Sequence, residues 1–166
     1  MRTKTQKITM SALLAAIIFV ATRFIQIPMP AVGYVNLGDA FVILAGWMLP
    51  GGYGFLAAGI GSALADVLSG YVVYAPVTFA VKGLMAVLVW LIFKTFGKNR
   101  GTVIKSIVAG LVAELVMIAG YLVYESFLYG FKTAILSVPF NGIQGAVGLV
   151  LGVVLVNALS KSKLFK

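Results

Sequence analysis

PVTFAVKGLMAVLVWLIFKTF, residues 76–96, decides the fold. Its 21 residues are apolar apart from Thr78, Lys82 and the closing Lys94 and Thr95. About 20 such residues, at 1.5 Å each, cross the hydrocarbon core of a bilayer. Pro76 suits the first turn of that helix. A charge inside the bilayer costs roughly 2.5–3.5 kcal/mol on insertion scales, so Lys82 requires a partner or a cavity. Two carboxylates raise the same question upstream. Asp39 closes Val35-Asn-Leu-Gly-Asp39, and Asp66 closes Gly61-Ser-Ala-Leu-Ala-Asp66.

Working outward, the chain divides into six apolar segments. The first runs from Ile8 to about Ile27 and is closed by Pro28 and Pro30. The second is Asp39 to Leu49, ended by Pro50-Gly51-Gly52. The third is Tyr53 to Leu68, the fourth Pro76 to about Phe96, the fifth Thr102 to about Tyr124 and the sixth Ser137 to about Leu159. The second, at about 11 residues, is too short to cross unaided. Either Val35–Gly38 extends it or the protein is thin there. Arg2, Lys4 and Lys7 before Ile8–Ala21 have the form of a signal peptide. The apolar pattern resumes after Pro30, which favours a retained helix.

Composition agrees. Of 166 residues 61% are hydrophobic and 10% charged, against about 25% charged in soluble domains. The expectation is an all-α integral membrane protein, one domain over 1–166. The net charge of +9 does not point to nucleic acid, because the basic residues flank the apolar runs as membrane anchors do. Cys and His are absent, which removes thiol chemistry and makes a zinc or di-iron site improbable. No cofactor is expected. No nucleophile–base pair, P-loop or nucleophile elbow is visible, which argues against an enzyme.

Basic residues set the orientation. Arg2, Lys4 and Lys7, then Lys94, Lys98, Arg100 and Lys105, then Lys161, Lys163 and Lys166 share one side if there are six crossings. Both termini are thereby expected in the cytoplasm. Asp39, Asp66, Lys82, Tyr121, Glu125, Asn141 and Gln144 then fall in the outer half. Only Glu114 lies near mid-membrane and Asn157 near the inner face. The pattern implies an outward polar pocket above an apolar plug.

Each polar group has two readings. Asp39, Asp66 and Lys82 either line a pocket or form a network that only holds helices together. Lys82 is favoured for the pocket, and Asp66 for a structural partner. Asn141 and Gln144, three apart on one helix face, either meet a heteroaromatic ring or bond between helices. Tyr34, Tyr71, Tyr74 and Tyr121 either stack on a flat ligand or belong to an interfacial belt. Pro28–Gly38 is either a lid or a connector. Small residues four apart, Ala12/Ala16, Ser11/Ala15 and Gly148/Gly152, allow close helix approach.

Asn36-Leu-Gly-Asp39, Gly59-Ile-Gly-Ser-Ala-Leu-Ala-Asp66, Ser69-Gly-Tyr71, Tyr74-Ala-Pro76 and Lys82-Gly83, in this order, resemble the S-components of energy-coupling factor (ECF) vitamin transporters. The subgroup they resemble is the riboflavin type, which includes hydroxymethylpyrimidine and pyridoxine S-components. The resemblance spans essentially the whole chain. It implies a six-helix capture subunit in the bacterial plasma membrane. It also implies partners: a T-component and two cytoplasmic ABC ATPases, with ATP-driven toppling to release the ligand inside. Ala12 and Ala16 match the family's T-component contact. Asn36, Lys82, Tyr121, Glu125, Asn141 and Gln144 match its pocket location, and Asp39 is counted with them as a substrate-binding residue, with support of the lid as its expected part. Hydroxymethylpyrimidine, pyridoxine and riboflavin all fit the polar groups, with the smaller rings preferred. A stand-alone carrier and a structural scaffold remain the competing classes.

Overall fold

The computed structural model describes residues 3–29, 33–96 and 101–162. Arg2, Pro30, Lys98, Arg100, Lys163 and Lys166, used above for orientation and boundaries, lie outside them.

Helix α1 (Lys4–Phe24) begins earlier than apolarity alone suggests. Thr3 and Gln6 close a capping box: Gln6 N donates to Thr3 Oγ1 at 3.2 Å, and Thr3 N to Gln6 Oε1 at 2.9 Å. This satisfies two donors that the first turn would otherwise leave bare. The helix stops at Phe24, so Ile25–Ile27 are not its last turn. Ile25 leads into a short antiparallel hairpin, β1 (Gln26–Pro28) and β2 (Tyr34–Asn36), in register Gln26↔Asn36. Gly33, at φ +68°, makes the left-handed turn into β2.

Helix α2 (Gly38–Met48) has 11 residues, about 16 Å. Val35–Asn36 pair in the hairpin instead of lengthening it. Its shortness is tolerated because it meets protein, not lipid. Eight of its residues, Gly38–Ala40 and Val42–Gly46, are buried. The other helices are α3 (Gly51–Leu68), α4 (Ala75–Thr95), α5 (Thr102–Tyr129), a single turn α6 (Phe131–Ala134) and α7 (Val138–Lys161). Five helices, α1, α3, α4, α5 and α7, are long and apolar enough to cross a membrane. They pack around α2, which touches each of them.

Small residues permit that packing. A Cβ on Gly148 would lie 2.7 Å from Asp39 Cβ, and one on Gly152 2.9 Å from Ile43 Cδ1. The glycine pair of α7 therefore faces α2. Along α1, Ala15 backs onto Gly61 of α3, whereas Ala12 and Ala16 are exposed. Leu14, Ile18, Ile43, Met85, Val89, Met117 and Val156 form the shared core. Large apolar side chains such as Leu13, Leu56, Leu91, Leu115 and Val150 cover the outside. That is the surface of a body solvated by lipid.

Candidate functional site

α1 and α3 finish, and α4 and α7 start, at one end of the bundle, where the hairpin folds across. There lies a cavity of about 410 Å³, including the space at its mouth. Met29, Gly33, Tyr34 and Asn36 come from the hairpin, Thr22 from α1 and Asp66 from α3. Tyr71 and Tyr74 come from the α3–α4 connection, Thr78 and Lys82 from α4, Tyr121 and Glu125 from α5, and Asn141 and Gln144 from α7.

Its floor is one connected polar chain. Lys82 is paired with Asp39, and their side chains are 2% and 0% exposed. Gln144 Nε2 donates to the other Asp39 oxygen at 2.6 Å. Gln144 Oε1 accepts from the backbone N–H of Asn36 at 2.8 Å. Both Asp39 oxygens are thus occupied, as a buried carboxylate requires. α4, α2, α7 and the hairpin are joined through four residues. Lys82 Nζ also lies 5.6 Å from the centroid of the Tyr121 ring, within cation–π reach.

The hairpin is fastened on its other flank too. Tyr34 Oη donates to Asp66 Oδ1 at 2.5 Å, and Gln26 Nε2 to Ser69 Oγ at 2.8 Å. Tyrosines line the wall in sequence. Tyr34 and Tyr71 have centroids 4.9 Å apart, Tyr71 and Tyr74 6.3 Å, and Tyr74 and Tyr121 6.4 Å. Burial and the neighbouring Asp66 carboxylate raise the Tyr34 phenol above its ordinary value, so it stays a donor at neutral pH. Glu125 is 1% exposed. It accepts from Tyr74 at 3.3 Å and from Ser137. Tyr121 and Thr78 share a hydrogen bond of 3.0 Å.

Asn36, Lys82, Tyr121, Glu125, Asn141 and Gln144, separate in sequence, thus meet around one space. Asp39 does not line it; it lies beneath, holding Lys82 and Gln144 in place. Asp66, read above as a structural partner, both fastens the hairpin and faces the cavity. Tyr71 and Tyr74 stand in the wall as well. Thr22 and Thr78 are not foreseen from the sequence; Met29 and Gly33 fall within Pro28–Gly38, read as a lid or a connector, without being singled out. Thr78 lies four residues before Lys82 and so on its helix face, a signal that was available. The other three carry no charge or spacing that marks them.

Beneath the cavity, Glu114 is 5% exposed and packs against Gly145 and Gly148. Neither of its carboxyl oxygens has a hydrogen-bond partner among the described residues.

The fold and cavity define a multi-pass membrane protein with a polar chamber confined to one end. Residues 2–161 match the family model described as ECF-type riboflavin transporter, S component. The chain belongs to that family. Its members are substrate-capture subunits of transporters, not enzymes, and their general partners are a T-component and ATPases. A relative from Pyrococcus woesei, described as an uncharacterized protein in gap 3'region, is 35% identical over 135 residues, 80% of this chain and 87% of the relative. A solved structure described as "Structure and mechanism of the S component of a bacterial ECF transporter" matches with a TM-score of 0.72 and 21% identity. That match covers 95% of this chain and 97% of the other, and shows a shared fold.

Proposed function

We propose that the cavity captures a small water-soluble vitamin or precursor, in first place hydroxymethylpyrimidine or pyridoxine. The T-component and its two ATPases then topple the loaded subunit and release the ligand inside. One observation carries this reading. The linked polar residues end at the Asp39–Lys82 floor; beside and below it, apart from the isolated Glu114, Val42, Ile43, Met85, Val89, Met117 and Val156 fill the bundle. A capture chamber without a polar path through needs an external motor to empty it.

The enclosed free space between the lining side chains is only about 30 Å³, so the hairpin or side chains must give way to admit a ligand, which favours a single ring over a larger one. The family description favours riboflavin as the second reading. Asn36, Lys82, Tyr121, Glu125, Asn141 and Gln144 are the proposed contacts, with Asp39 as their support. The same reading takes the chain through the membrane six times, α2 included, with both termini in the cytoplasm and the hairpin outside. It assigns the exposed Ala12 and Ala16 to the T-component. Mass spectrometry of small molecules copurifying with the protein is the test. One of the three rings, at about one per chain, is the expected result. A preparation that carries none and binds none when each is added would overturn it.

A further inference from the structure

Most polar atoms around the cavity are already committed to one another. Gln144 is spent on Asp39 and Asn36, Glu125 on Tyr74 and Ser137, and Tyr121 on Thr78. Two lining residues keep a buried atom with no hydrogen bond of good geometry, and the Thr78 hydroxyl beside Asp66 is shared with Tyr121. Asp66 Oδ2 and Thr22 Oγ1 are buried without a hydrogen-bond partner among the described residues. Their residues are 4% and 2% exposed. A bare carboxylate oxygen in such surroundings is costly unless something donates to it. Lys82, with three donors and one directed at Asp39, offers the complementary kind of group.

We propose that Asp66 and Thr22 form a recognition subsite on α3 and α1 for an N–H or O–H donor of the captured ring, an exocyclic amine, a ring hydroxyl or a ring imide. The inference rests on the capture reading above and adds the ligand chemistry. Asp66 Oδ1 holds the hairpin through Tyr34, while Oδ2 takes the ligand's donor. One carboxylate therefore reads the ligand and fastens the lid over it. Lys82 takes an acceptor elsewhere on the same ring. A ring with acceptors alone leaves Oδ2 unmet and is rejected.

Calorimetric titration of the full chain tests this with 4-amino-5-hydroxymethyl-2-methylpyrimidine, pyridoxine and riboflavin. The tightest of the three is paired with its analogue lacking the donor: the 4-hydrogen pyrimidine, 3-deoxypyridoxine or 3-methylriboflavin. In the wild type the analogue should bind roughly 10- to 100-fold more weakly, the usual worth of a hydrogen bond to a charged group. In Asp66→Asn, whose amide nitrogen would face the donor, that discrimination should vanish. Thr22→Val, which changes no charge, should reduce it about 2- to 10-fold. Discrimination at wild-type size in Thr22→Val and in any folded Asp66→Asn overturns the subsite alone. Failure of the wild type to bind any of the three rings overturns the capture reading and the subsite with it.

Discussion

Gln144 donates from Nε2 to Asp39 Oδ2 at 2.6 Å, across the α7–α2 interface. Its other end, Oε1, accepts from the hairpin at Asn36. The amide links the buried ion pair to the hairpin. Gln144→Ala should therefore leave Asp39 half satisfied and the hairpin loose. Ligand affinity is expected to fall about 10- to 100-fold, mostly as faster dissociation. Stopped-flow release from the purified chain checks it; an unchanged off-rate contradicts it.

The Lys82–Asp39 pair stabilises the centre only as a pair. Lys82→Met strands a carboxylate that is 0% exposed and should cost about 3–5 kcal/mol. Adding Asp39→Asn to the same chain should restore much of the loss, because no charge is then left unmatched. Melting of both variants in detergent measures the difference. A double variant less stable than Lys82→Met would count against the pairing.

Glu114 faces the opposite situation. Both of its oxygens lack partners among the described residues, and it packs on the glycine face of α7. Glu114→Gln keeps the shape and removes any possibility of an unpaired charge. Its melting temperature should equal or exceed that of the wild type. A clear drop would mean that the carboxylate has a partner the structure does not show.

Ala12 and Ala16 present a smooth exposed strip on α1. A Trp at either position should abolish copurification with the T-component and leave ligand affinity within about twofold, since distant sites act independently. Assembly at wild-type yield would remove α1 from the interface.

Much of this molecule was legible from hydropathy. The long apolar runs, their order and the shortness of the segment after Asp39 follow from the cost of polar groups in lipid. Helix ends were less so. α1 gains its first turn from the Thr3–Gln6 capping box, and α5 continues to Tyr129 past the expected Tyr124. The hairpin and α6 have three or four residues per element, too few for a period to register. Within the cavity, Lys82, Glu125 and Asp66 stood out because a buried charge demands explanation. Asp39 stood out for the same reason, yet only its contacts reveal that it is a support rather than a wall. Thr22 is a single hydroxyl near a helix end, and sequence offers no ground for choosing it over Thr95.

On the proposed function, the chain captures a ligand but does not carry it across. Proteoliposomes containing this chain alone, given radiolabelled hydroxymethylpyrimidine, pyridoxine or riboflavin, test it most directly. The expected result is saturable binding of about one ligand per chain with no further uptake. Sustained, rapid flux of any of the three into the lumen would contradict it.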